Sequence, residues 1–258
     1  MIFQTLRHTG WMIVRQARNL MREPIWIAMM VIQPLIWLLL YGQLYSRVPG
    51  IRGNAASYKE FLLPGIVCMN AFFGGMWSGM AMISDLDRHV IDRFLASPAS
   101  RVAIVLSQVV RAGMTAAMQG VLLLAIGYVL GVRVHGGVAG WLMVIAASAL
   151  LAMVFAGFSH GIALILRREA SMIATANFIG LPLMFLSSIL LTVTIMPVWI
   201  QHVSRFNPVN WGVVAARNAV VNGGEWWTSG QFLLFLVAAA AVTTGFATWS
   251  FRAYQRSI

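Results

Sequence analysis

The string Gly157-Phe158-Ser159-His160-Gly161 has the form G-x-S-x-G, in which a hydrolase presents a serine nucleophile on a sharp strand-to-helix turn. Here it lies inside an uninterrupted apolar stretch. His160 follows the serine directly, so on a helix it points about 100° away from it. Glycines four apart, as in Gly157/Gly161 and Gly75/Gly79, permit close helix packing, which is the reading preferred to an intramembrane hydrolase. Other chemistry lacks its residues. A phosphate loop G-x-x-x-x-G-K-[ST] needs a lysine, and the only lysine, Lys59, lies between Tyr58 and Glu60. The five histidines (His8, His89, His135, His160, His202) fall in separate segments without paired ligand spacing, and Cys68 is the only cysteine. The chain is therefore expected to carry no catalytic residue, no metal site and no intrachain disulfide.

The carboxylates are more informative. Asp85, Asp87, Asp92 and Glu169 make up four of the seven, and three of these join Arg88 and Arg93 in the run from Asp85 to Pro98. Leu86, Val90, Ile91 and Phe94 recur at helical spacing and leave the charges on the complementary faces. This predicts a short amphipathic helix that ends before Pro98 and forms a docking surface for a soluble partner. A solvated loop capping the preceding segment is the plainer alternative.

These groups must be positioned by a chain of 258 residues that is 60% apolar and 10% charged, against about 25% charged in a soluble domain. Long apolar stretches occur at 25–45, 61–84, 112–131, 139–166, 171–196 and 231–251. A span needs about 20 apolar residues as a helix, against about 10 for a barrel strand. The expected fold class is therefore an all-α integral membrane protein of one domain with six transmembrane helices. Eighteen basic against seven acidic residues give +11, and such an excess records topology and anionic-lipid contact rather than nucleic-acid binding. Twelve basic residues fall on the side of the termini and six on the other, which predicts both termini in the cytoplasm.

Ahead of the first span, Arg7, Arg15, Arg18 and Arg22 fall within an arc of about 80° on a helical projection, opposite Leu6, Ile13, Ala17 and Leu20. Residues 1–24 thus read as an amphipathic interfacial helix; topology-setting arginines on an irregular leader are the alternative. The arginine-rich leader lacks the pattern of a cleavable signal peptide. Pro34 and Pro182 fall within the first and fifth spans, where they either shape a cavity or are merely tolerated bends. Arg111, at the start of the third span, either snorkels to the inner surface or meets Glu169 or an asparagine across the bundle. Candidate cavity residues on the second and fifth spans are Asn70, Phe72, Phe73, Trp77, Asn177, Met184 and Phe185, with ordinary helix packing as the alternative role for each. Trp199, Trp211, Trp226 and Trp227 are expected to form an interfacial belt.

Five segments, in order, carry a family resemblance. They are Arg18-Asn19-Leu20-Met21-Arg22-Glu23-Pro24 with Gln33-Pro34 beyond, Tyr58-Lys59-Glu60-Phe61-Leu62-Leu63-Pro64-Gly65, and Asp85 to Arg101 with its Ser97-Pro98. Met196-Pro197-Val198-Trp199 follows, then Phe206-Asn207-Pro208-Val209-Asn210-Trp211 with Arg217 after it. Together they resemble the membrane permeases of type-2 ABC exporters, a family that includes drug-resistance permeases similar to the daunorubicin exporter and permeases of nodulation-factor and polysaccharide export. His89 departs from the pattern, which has glycine after the acidic pair.

The resemblance implies a permease subunit of an ATP-driven multidrug or glycan exporter in a bacterial inner membrane. ATP and magnesium would sit on two separate ATPase subunits, and a second copy of the chain or a sister permease would complete the pore by alternating access. It implies that Asp85, Asp87, Arg88, Asp92, Arg93, Phe94 and Leu95, in a cytoplasmic coupling loop at 85–101, transmit ATPase motion. It also implies that 197–224 form an outer re-entrant hairpin before the last span. The substrate would be an amphiphilic drug, a lipid-like molecule or a glycan, exported from the cytoplasm or inner leaflet. A membrane scaffold that recruits a cytoplasmic partner without transporting anything is the rival expectation.

Overall fold

The computed structural model describes residues 24–48, 50–51, 53–87, 101–222 and 225–255. Regular structure among them is helical throughout: α1 (Pro24–Leu44), α2 (Tyr58–Trp77), α3 (Gly79–Asp87), α4 (Arg101–Val129), α5 (Gly137–Leu166) and α6 (Glu169–Phe185). There follow a 3₁₀ turn (Val193–Ile195), α7 (Val198–Ser204), α8 (Pro208–Arg217), a π-helical turn (Asn218–Asn222) and α9 (Trp226–Gln255). The stretches Tyr58–Leu86, Ile104–Val129, Gly137–Leu166 and Trp226–Tyr254 are long and apolar enough to cross a membrane. Ile32–Leu44 and Glu169–Phe185 are shorter apolar helices. The chain is a multi-pass membrane protein. Side chains such as Leu40, Phe178, Leu234 and Val242 are exposed on the bundle surface, where hydrocarbon rather than water is their natural solvent.

Small residues let α5 serve as the central helix. A Cβ on Gly75 would stand 2.5 Å from the Ala152 carbonyl oxygen, and one on Gly157 would stand 2.9 Å from the Thr243 backbone. The helices α2 and α9 thus approach α5 backbone to backbone, the geometry expected of small-residue contacts in lipid. Phe72, Phe155, Leu62, Leu63, Leu151 and Val213 fill the main core.

The segment at 171–196 is not one helix. Its helix begins at Glu169 and ends at Phe185, spanning about 26 Å at 1.5 Å per residue. Carbonyls at its end are taken up by side chains: Asn207 Nδ2 donates to Leu183 O (2.7 Å) and Leu186 O (3.0 Å). Ser187 Oγ donates to Met184 O at 2.6 Å. Asn210 Oδ1 accepts from the Ser188 backbone (3.1 Å) and hydroxyl (2.7 Å). Hydropathy registers none of these bonds. The third segment also differs at its start, because α4 already begins at Arg101 rather than at 112.

Candidate functional site

The two ends of the bundle differ in chemistry. At one end, α3 closes, α4 begins, α5 turns into α6 and α9 ends. Gln108 on α4 donates to Asp85 Oδ2 on α3 at 3.5 Å, and the Arg167 guanidinium at the α5–α6 joint lies 4.5 Å from the Tyr254 ring centre on α9. This is the end that carries the expected coupling segment. Asp85 is half-buried there. Asp87 is the last residue of α3, and Arg88, Asp92, Arg93, Phe94 and Leu95 lie outside the described residues, as do Arg7, Arg15, Arg18 and Arg22.

The opposite end is tied together by polar contacts between remote segments. Ser57 caps α2 by accepting from Glu60 N at 3.2 Å, while Glu60 Oε2 accepts from Ala56 N at 2.9 Å, the reciprocal pattern of a capping box. The other Glu60 oxygen meets His135 Nδ1 at 3.2 Å. Tyr58 donates to Leu190 O at 2.9 Å. Arg217, at the end of α8, lies with its guanidinium carbon 3.7 Å from the Phe61 ring centre. It donates to Phe61 O (3.2 Å), Ser188 O (2.7 Å) and Ile189 O (3.3 Å). Arg217 and the two asparagines thus pin α8 onto the unwound end of α6 and the start of α2.

Between the two ends, α2 and α4 face each other with polar side chains. Asn70 Nδ2 donates to Gln119 Oε1 at 3.1 Å. Beside this pair opens a cavity of about 170 Å³ lined by Ser78, Gln108, Arg111, Thr115 and Gln119, with Gly74, Gly75 and Ala152 as its apolar floor. The α4 residues recur at steps of three, four and four, which keeps them on one face for about 17 Å. The Ser78 and Thr115 hydroxyls bond backbone carbonyls of their own helices, Gly75 O at 2.6 Å and Arg111 O at 3.0 Å. No carboxylate of the described residues comes within 4.0 Å of Arg111, which is half-buried and does not pair with Glu169. Sequence reading singled out Asn70 and Arg111. The signal for the rest was the 108–111–115–119 spacing within an apolar segment.

The other cavity residues expected from sequence are dispersed. Phe72 is fully buried, edge-on to Phe155 with ring centres 4.4 Å apart, and Phe73 lies beside it. Met184 packs against the same core. Trp77 is partly exposed, Phe185 is largely exposed, and the Asn177 amide bonds Ile173 O of its own helix at 3.1 Å. A larger groove of about 580 Å³ between α4, α5 and α9, lined by Leu106, Met153, Ala240, Thr244 and Trp249 and closed at one end by Arg252, contains none of them.

The G-x-S-x-G serine has a structural task. Ser159 Oγ accepts from Gly79 N at 3.0 Å and donates to Met76 O, so one hydroxyl bridges the break between α2 and α3. Among the described residues neither ring nitrogen of buried His160 has a hydrogen-bond partner, so neither bonds the serine as a base would.

Residues 7–221 match the family described as ABC-2 type transporter. The chain belongs to that family. The daunorubicin resistance ABC transporter permease protein of Streptomyces coeruleorubidus is 25% identical over 241 residues, covering 90% of this chain and 80% of that one. The ycf38 protein of Cyanophora paradoxa, a transport permease by name, is 29% identical over 204 residues, covering 77% and 69%. Its counterpart from Pyropia yezoensis is 26% identical over 211 residues, covering 80% and 71%. An ABC-2 chain is a transmembrane component of an ABC transporter, a transport part rather than a catalyst, and its kind of partner is an ABC ATPase subunit.

Proposed function

We propose that this ABC-2 chain is the permease of an ATP-driven exporter, paired with a second copy or a sister permease and driven by two ATPase subunits bound at the Asp85 end. The observation that carries the reading is membership of the family across residues 7–221. In the chain itself, the lack of a phosphate-loop lysine fits nucleotide chemistry on another subunit, with ATP and magnesium held there. The twelve-to-six division of basic residues supports placing that end, and both termini, in the cytoplasm of a bacterial cell. The short helices α7 and α8 then stand on the outer side as the re-entrant hairpin, and 1–24 line the inner leaflet.

Transport follows if ATPase closure moves the coupling segment around Asp85, Asp87, Arg88, Asp92, Arg93, Phe94 and Leu95. The membrane helices must also differ in substrate affinity between their two arrangements. The daunorubicin-resistance relative favours an amphiphilic drug or lipid-like cargo. The test is ATPase activity and ATP-dependent uptake of a fluorescent amphiphile into inverted vesicles holding the chain with its ATPase. Asp92→Ala with Phe94→Ala is expected to cut uptake at least about tenfold while the permease remains in the membrane. ATPase binding with no uptake by the wild type would favour a recruiting scaffold instead.

A further inference from the structure

The cavity beside Arg111 has chemistry that the transport reading leaves unused. Arg111 sits seven residues into the stretch Ile104–Val129, about 10 Å from its start. A guanidinium at that depth is costly unless it meets an anion or water. Among the described residues no carboxylate reaches this half-buried guanidinium, and the two cavity hydroxyls donate to backbone carbonyls. Asp85, at the mouth of the seam, is engaged by Gln108. The floor of Gly74, Gly75 and Ala152 leaves room without adding polar groups, and a Cβ on Gly74 would meet nothing within 4 Å. At about 170 Å³ the space is smaller than the 300 Å³ or more of a drug pocket, so it admits one polar group rather than a whole ligand.

We infer that this cavity binds the phosphate of an acidic lipid, with Arg111 as the bidentate donor and the Gln108 and Thr115 face of α4 around it. A guanidinium matches the two oxygens of a phosphate with parallel hydrogen bonds. An acidic lipid supplies that anion from the leaflet at the Asp85 end, and its chains lie against the apolar helix surface outside. Free phosphate offers the same oxygens without the chains. The inference concerns binding alone and stands whether or not the chain transports.

The test uses the full chain in detergent, without ATPase, titrated calorimetrically with dihexanoyl phosphatidylglycerol, dihexanoyl phosphatidylcholine and inorganic phosphate. Phosphatidylglycerol is expected to bind at least about tenfold tighter than phosphatidylcholine. Arg111→Gln should abolish that preference, Arg111→Lys should keep part of it, and Arg252→Gln in the other groove should leave it within twofold. Removing the competing carboxylate by Asp85→Asn should tighten binding. Phosphate binding as tight as the lipid and equally lost in Arg111→Gln would assign the site to the free ion, and the anion site would stand. Ala112 also lines the cavity, and if Arg111→Gln fails to fold, Ala112→Leu, which fills the cavity and keeps the charge, takes its place and should weaken phosphatidylglycerol at least about fivefold. Equal affinity for phosphatidylglycerol in the wild type and in Arg111→Gln, or in Ala112→Leu where that variant replaces it, overturns the inference.

Discussion

Arg217 stacks on Phe61 while its fork reaches carbonyls of α2 and of the segment after α6. Lysine offers a point charge on a flexible stem and reproduces neither the stack nor the fork. Arg217→Lys should therefore lower stability by about 1–3 kcal/mol, read as an earlier thermal unfolding midpoint in detergent. Ser159 answers a different question about the same kind of residue. Because its hydroxyl satisfies Gly79 N and Met76 O inside the bundle, Ser159→Ala leaves a buried amide unbonded and should destabilise by about 1–2 kcal/mol. A hydrolase would instead lose an esterase activity with stability unchanged, so unfolding and ester turnover measured on one preparation separate the two. The string G-x-S-x-G is legible in sequence; which partners its serine has is not, since Met76 and Gly79 lie about eighty residues away.

At the scale of elements, hydropathy located the helices well and their ends poorly. The segment 171–196 is apolar throughout, yet α6 stops at Phe185 because Asn207 and Asn210, more than twenty residues on, bond the groups that a continuing helix would have used. Apolarity also leaves the direction of a side chain open. Phe72 and Phe73 differ by one position and by burial, and of the seven cavity candidates only Asn70 reaches the polar seam between α2 and α4, through Gln119. Glycine contacts give this scale its prediction. Gly75→Ala would drive a methyl against the Ala152 carbonyl, where backbone cannot yield, and should cost about 1–3 kcal/mol. Gly245→Ala, in the middle of α9 with open space around it, should be neutral or stabilise by up to about 1 kcal/mol through helix propensity. Paired unfolding measurements test both; equal effects would mean that α2 and α5 do not meet at Gly75.

For the whole molecule the deciding quantity is which end faces the cytoplasm, because an ATPase can reach only that side. Cys68 is fully buried, so the wild-type chain should stay silent to a membrane-impermeant maleimide and single cysteines can report on their own positions. Ser46 lies in the turn after α1, at the end where Tyr45 meets Tyr58, and Arg168 lies at the α5–α6 joint beside the end of α9; both are exposed. With twelve basic residues on one side and six on the other, Ser46→Cys should react in intact spheroplasts and Arg168→Cys only after permeabilisation. The reverse pattern would put Arg217 and its clamp on the ATPase side, and the coupling role of the Asp85 segment would fall with it. The expected pattern leaves Asp85 and the mouth of the Arg111 seam at the cytoplasmic leaflet, where an ATPase can press on the same helices that an acidic lipid reaches.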